Sequence, residues 1–276
     1  MTLTVVLGLA CALCWGVPDV WLAQATRSVG PLATVFGSVL IGLAAISPAA
    51  FFVDMPDWSL RGVLLAALVG ALSTCGYYIG FTAFRHGSVS IVAPIIACEG
   101  GVAAIFAVAG GERLSGLVAA FLPIAVLGVV LSAMGKGGGK ASVLPAAAAA
   151  LIWGGILVLS APVAADLGVY WGFLLIRVSA LVAALPLALK TGAVHRWKAD
   201  PWRVAAWGLG DSAAYLLYVA AADRGPVAVA SVLAAQFATV AVVAGLISGE
   251  RLRRRQKIGV ALVIAAVSGI AATGGG

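Results

Sequence analysis

Hydrophobic residues in this chain gather into runs of about twenty, each ended by a short connection carrying glycine, proline or charge. At 1.5 Å of rise per residue, about twenty apolar residues make a helix that crosses the roughly 30 Å hydrocarbon core of a bilayer. Ten such runs are present: 2–23, 30–53, 60–84, 88–109, 115–134, 143–165, 169–190, 201–222, 226–247 and 254–273. The connections are short, as at Ser28-Val29-Gly30-Pro31, Arg85-His86-Gly87 and Asp223-Arg224-Gly225-Pro226, and none has room for a soluble domain. The pattern predicts an all-α integral membrane protein with ten transmembrane helices. Run 1 is apolar enough for a signal peptide, but it has no positive n-region, since Met1 to Thr4 carry no charged side chain, so it is expected to belong to the fold.

The chain repeats itself at half its length. Gly111-Glu112-Arg113-Leu114 returns 138 residues later as Gly249-Glu250-Arg251-Leu252. The same offset pairs Trp15-Gly16 with Trp153-Gly154, Tyr77 with Tyr215, Gly87 with Gly225, and Gly137-Gly138 with Gly275-Gly276. Spacing held without net insertion is the mark of a duplicated unit. Five runs per unit is an odd number, which predicts two inverted five-helix repeats. The units are residues 1–134 and 143–276, joined by a linker over 135–142. The linker's Gly135-Lys136-Gly137-Gly138-Gly139-Lys140 lacks the spacing of a phosphate loop, and no strand precedes it.

Composition agrees with a lipid solvent. The chain is 63% hydrophobic and 10% charged, against roughly 25% charged in a soluble domain. Connections after odd-numbered runs carry thirteen of the seventeen Lys and Arg residues, and those after even-numbered runs carry three: Arg61, Arg113 and Arg224. Positive charge stays on the cytoplasmic side, so the odd connections are expected in the cytoplasm and both termini outside. The net charge of +7 then reflects topology and anionic lipid headgroups near Arg253 to Arg255, and gives no reason to expect nucleic acid.

Enzyme chemistry has little to stand on. Cys11, Cys14, Cys75 and Cys98 all lie in apolar runs; Cys11 and Cys14 have redox-motif spacing, but on a transmembrane helix they read as small packing residues. His86 and His195 sit in connections, and no His/Cys cluster has metal-ligand spacing. No cofactor or metal is expected.

Polar chemistry at membrane depth is the informative feature. Glu99 lies mid-run in run 4, Asp211 in run 8 and Arg177 in run 7, with Asp19 towards the end of run 1. An ionisable group at the bilayer centre costs at least about 2.5–3.5 kcal/mol on insertion scales, so it faces a partner or a cavity. Arg177 and Asp211, at similar depth on neighbouring runs, can form a structural pair. Glu99 has no partner of matching depth, which marks it as a carrier of a proton or of a substrate's cationic group, with Asp211 next in line. Asp19 can reach the headgroup region and is the weakest candidate of the four.

Aromatic residues accompany these acids. Trp207, Asp211, Tyr215 and Tyr218 share a helical face, and Trp15 stands four residues before Asp19. Tyr77 and Tyr78 occupy the positions equivalent to Tyr215 and Leu216, while Gln236 and Thr239 align with Cys98 and Gly101 beside Glu99. Trp58, Trp171, Trp197 and Trp202 suit an interfacial belt. The deeper ones suit a cavity for a small amphipathic molecule or organic cation.

Two copies, each with Trp-Gly in the first helix and Gly-Glu-Arg-Leu between the fourth and fifth, resemble tandem EamA domains of the drug/metabolite transporter superfamily. The resemblance implies a central cavity open to one side at a time, and metabolite transport, often outward, without ATP. It carries over to Trp15, Tyr77, Glu99, Trp153, Asp211, Tyr215 and Gln236 as cavity residues. The Arg often found in the second helix of each repeat stands here only as Arg177, with none in Phe36-Gly37-Ser38-Val39. Relatives are drawn with cytoplasmic termini, opposite to the charge count. The Glu-Arg pairs are expected to cap the helix that follows them, and Gly100, Gly101, Gly110 and Gly111 to serve close packing.

The expected function is a secondary transporter for an amino acid or an organic cation or amphipathic compound, with proton coupling. A channel or passive permease is the alternative and a membrane enzyme the second. Expected partners are membrane lipids, the substrate and a proton, with the chain acting as a monomer or a dimer.

Overall fold

The computed structural model describes residues 2–87, 89–132, 140–240 and 254–273. Most of the expected linker, the second Gly-Glu-Arg-Leu and the closing glycines lie outside them. Among the described residues every regular element is helical.

Runs 2, 3 and 5 form α3 (Pro31–Ile46), α4 (Leu60–His86) and α7 (Gly116–Ser132), and runs 6 to 8 form α8 (Lys140–Leu167), α9 (Val169–Thr191) and α11 (Pro201–Asp223). A short α10 (Ala193–Arg196) turns the corner between α9 and α11, and run 10 gives α13 (Arg254–Thr273). Three runs are discontinuous where unbroken helices were expected. Run 1 divides into α1 (Thr2–Gly16) and α2 (Asp19–Ser28) at Pro18, which has no N–H and whose carbonyl accepts from Trp21 and Leu22 to start the second half. Run 4 divides into α5 (Val89–Ile96) and α6 (Glu99–Ala109). Run 9 forms α12 (Val227–Ala234), turns at Ala235 and Gln236, and resumes over 237–240.

The last two breaks stand 138 residues apart and have the same geometry. Cys98 N–H donates to the Ile95 carbonyl at 3.2 Å, and Gln236 N–H to the Leu233 carbonyl at 3.1 Å. Each is a tightened i→i−3 turn that interrupts the α-helical ladder. Six described helices are long and apolar enough to cross a membrane, namely Thr2–Ser28, Pro31–Phe51, Leu60–His86, Ala141–Leu167, Val169–Thr191 and Pro201–Asp223. Runs 4, 5, 9 and 10 give shorter apolar helices among the described residues, so within those residues length and composition alone mark six crossings of the ten expected.

The halves interleave. α11 of the second half lies along α1 of the first, and α4 of the first lies along α8 of the second, the equivalent pairing. α6 and α12 pack beside each other. At that contact a Cβ on Gly100 would meet Ala235 Cβ at 2.5 Å and the Ser231 carbonyl at 2.7 Å, so Gly100 serves close packing as expected. Gly111 does not: it has φ +101° and nothing within 4 Å of a Cβ, so its role is to turn the chain after α6. Of the tryptophans expected in an interfacial belt, Trp58 packs edge-on to Trp171, whose Nε1 donates to the Asp54 carbonyl at 2.7 Å, while exposed Trp202 stacks under the Arg203 guanidinium.

Candidate functional site

Where the halves interleave, the buried polar side chains converge. Arg177 on α9 and Asp211 on α11 form the expected ion pair, both fully inside the protein. Tyr77 on α4 donates to Asp211 Oδ2 at 2.7 Å and accepts from Arg177 Nη1 at 2.9 Å. Trp15 Nε1, on α1, donates to Asp211 Oδ1 at 2.8 Å. The guanidinium also lies 4.8 Å from the Phe173 ring centre. Asp211 thus has both oxygens occupied and its charge matched. Removing one partner of such a pair leaves an uncompensated buried charge. The repeat-equivalent positions, Val39 and Ser73, lack both partners together, so the first half has neither the cation nor the anion to satisfy.

Asp211 and Tyr77 form one wall of a cavity. Trp15, Trp153, Trp207, Phe81, Phe84 and Phe237 supply most of the remaining wall, together with Asp19 and Glu99. Asp19, which was expected to reach toward the headgroups, is buried on this cavity wall, where Trp207 Nε1 donates to it at 3.3 Å. Glu99 opens α6 immediately after the break in run 4. It is 4% exposed, lines the cavity, and makes no hydrogen bond or ion pair among the described residues.

Of the eight residues assigned to the site from sequence, the structure gathers Trp15, Tyr77, Glu99, Trp153 and Asp211 around this cavity. Tyr78, Tyr215 and Gln236 are not in its wall. Tyr78 follows Tyr77 by about 100° of helical rotation, which turns it outward to 44% exposure. Tyr215 keeps the face of Asp211 but sits a turn further along α11. There it stacks on Phe173 and hydrogen-bonds Ser160, while Tyr218 below it donates to the Leu157 carbonyl at 2.7 Å. Both are fully buried in the packed core beside the cavity. Gln236 turns back on its own break, donating to the Val232 carbonyl at 2.8 Å and accepting from Thr239 at 3.3 Å.

The profile of the EamA-like transporter family matches residues 2–134 and again 140–272. The chain belongs to this family. The two matches are offset by 138 residues, the offset of the paired motifs. Members of the family are membrane transporters, and the long apolar helices here are those of a multi-pass integral membrane protein. One solved crystal structure aligns over 96% of this chain and 97% of its own, with a TM-score of 0.72 at 20% identity, a likeness of fold alone. No curated protein matches.

The motifs that carry the EamA-like resemblance have structural roles here. Each Trp-Gly gives its Trp to the cavity wall and uses its Gly to admit the half-helix after a break. A Cβ on Gly154 would lie 2.5 Å from Val102 Cγ1 and 3.1 Å from the Glu99 carbonyl. On Gly16 it would lie 2.6 Å from the carbonyl of Phe237, the repeat-equivalent of Glu99. Gly154→Ala is therefore expected to cost about 1–3 kcal/mol by overpacking and to disturb the Glu99 turn. Gly155→Ala, where a Cβ meets nothing within 4 Å, is the control, and thermal unfolding of the two purified variants compares them.

Glu112, of Gly-Glu-Arg-Leu, does not cap the helix that follows it. Its carboxylate accepts from Ala228 N–H at 3.3 Å, at the start of α12 in the other half. Burial pushes its carboxyl above the ordinary range, although the Ala228 and Val227 amides oppose the shift.

Sequence reasoning left Phe81, Phe84, Trp207 and Phe237 outside the site. Phe81 and Phe84 follow Tyr77 at i+4 and i+7, on its own face. Phe237 is the residue that the repeat places opposite Glu99.

Proposed function

We propose that this chain is a secondary active transporter that carries a small organic molecule across the cytoplasmic membrane by alternating access, using Glu99 to exchange proton for substrate. Its ten runs act as two inverted five-helix units around the cavity, with membrane lipids, substrate and a proton as partners. The observation that carries the reading is Glu99 itself, a carboxyl inside a membrane protein, on a cavity wall, whose side chain has no hydrogen-bond or ion-pair partner among the described residues. Such a group is costly unless its charge is removed or matched. A proton and a cationic group are the two ligands that do so, and a group that prefers each in a different state links their fluxes. The neighbouring breaks in runs 4 and 9, packed on each other, supply paired points at which the halves can bend about the site.

Saturable uptake into proteoliposomes holding the purified protein, driven by a pH gradient and absent from protein-free vesicles, tests the reading. Flux that stays linear with concentration and ignores the gradient would favour a channel or passive permease.

Both termini are proposed to lie outside, on the thirteen-to-three asymmetry of Lys and Arg. In a variant without native cysteines, an impermeant thiol reagent is expected to label a cysteine at Gly276 in intact cells and to miss one at Ser142. The reverse result inverts the orientation.

A further inference from the structure

Among the described residues the cavity has acids to spare and no cation to offer. Three carboxyls line it, Asp19, Glu99 and Asp211, and no described Lys, Arg or His does. The Arg177 guanidinium stands behind the wall with Nη1 on Tyr77 and Nη2 on Asp211. Its charge is consumed by Asp211, whose oxygens are already filled by Trp15, Tyr77 and Arg177. That leaves Asp19, with a single 3.3 Å bond from Trp207, and Glu99, with none among the described residues. The rest of the wall is aromatic, dominated by Trp15, Trp153 and Trp207.

From this arrangement we infer that the cavity selects organic cations, an amine, guanidinium or quaternary ammonium on an apolar body, and rejects anions and zwitterions. The inference rests on the cavity being the substrate site proposed above. A cation entering it gains Asp19 and Glu99 as counter-charges and indole faces for its positive group and apolar body. An amino acid brings a carboxylate as well, which meets three acids and a guanidinium whose hydrogen bonds would have to be broken. A buried charge left without a partner is heavily disfavoured, so the zwitterion is excluded by the same wall that accepts the amine.

Four probes with one phenyl body separate these cases: phenethylamine, benzyltrimethylammonium, phenylalanine and 3-phenylpropionate, titrated against the tryptophan fluorescence of the full-length protein in detergent. Both cations are expected to saturate, with phenylalanine and 3-phenylpropionate at least about tenfold weaker. Glu99→Gln and Asp19→Asn are each expected to weaken the cations by a similar factor. If either variant fails to fold, the charge series on the unaltered protein decides alone. Phenylalanine or 3-phenylpropionate binding as tightly as phenethylamine overturns the inference. So does a failure of both cations to saturate at millimolar concentration, or a folded Glu99→Gln that binds them unchanged. Cations that bind in the expected order but give no flux in proteoliposomes would refute transport and leave the selectivity standing. Saturable flux of an anion or zwitterion without cation binding would do the opposite.

Discussion

Proteoliposomes carrying Glu99→Gln are expected to show no gradient-driven uptake above protein-free vesicles, while the variant inserts and purifies like the unaltered protein. Glutamine keeps the volume of Glu99 but can neither bind and release a proton nor face a cationic group with a charge. If this side chain links the two fluxes, the gradient loses its hold on the substrate altogether. Folding should survive because Glu99 makes no hydrogen bond or ion pair among the described residues; breaking a contact is not part of the substitution. Asp19 and Asp211 are the other acids on the same wall; Asp211 is held by Arg177, which leaves Asp19 as the alternative carrier. Uptake at the unaltered rate with the same pH profile would make Glu99 a structural acid, and Asp19→Asn would become the next test.

Asp211→Asn is expected to act on stability first. It leaves the Arg177 guanidinium buried without its anion, and breaking a buried pair from one side costs about 3–5 kcal/mol. The purified variant should unfold well below the unaltered protein, or fail to accumulate. Replacing both partners, as Arg177→Met with Asp211→Leu, removes the uncompensated charge and is expected to recover most of that loss. Transport by the double variant then distinguishes two roles. A stable double variant that still transports assigns the pair to the fold, and a stable but inactive one assigns Asp211 to the substrate. An Asp211→Asn protein as stable as the original would show that the ion pair does not hold α9 to α11.

Much of this was legible in the sequence because it depends on local or periodic properties. An apolar run about the thickness of a bilayer has little choice but to be helical, since its backbone groups find no water. The half-length repeat shows in residue spacing alone, and the expense of an acid in hydrocarbon marks Glu99 and Asp211 before any contact is known. The pairing of Arg177 with Asp211, 34 residues apart on adjacent runs, was within reach of depth arguments.

Tertiary structure decided the rest. The three donors on Asp211 come from Trp15, Tyr77 and Arg177, 196, 134 and 34 residues away, and no spacing rule predicts which of several acids such partners will choose. Helical periodicity reports a residue's face but not what packs against it, so it grouped Tyr215 with Asp211 although Asp211 lines the cavity and Tyr215 is packed against Phe173 and Ser160 outside it. The breaks were hidden for a related reason. Pro94 precedes the turn at Cys98, yet its repeat-equivalent Val232 precedes the same turn at Gln236. Since the turn forms with or without proline, it is set by the packing of α6 and α12 on each other and on the glycines of α1 and α8. Those contacts join residues from opposite halves of the chain, and only the folded arrangement brings them within reach.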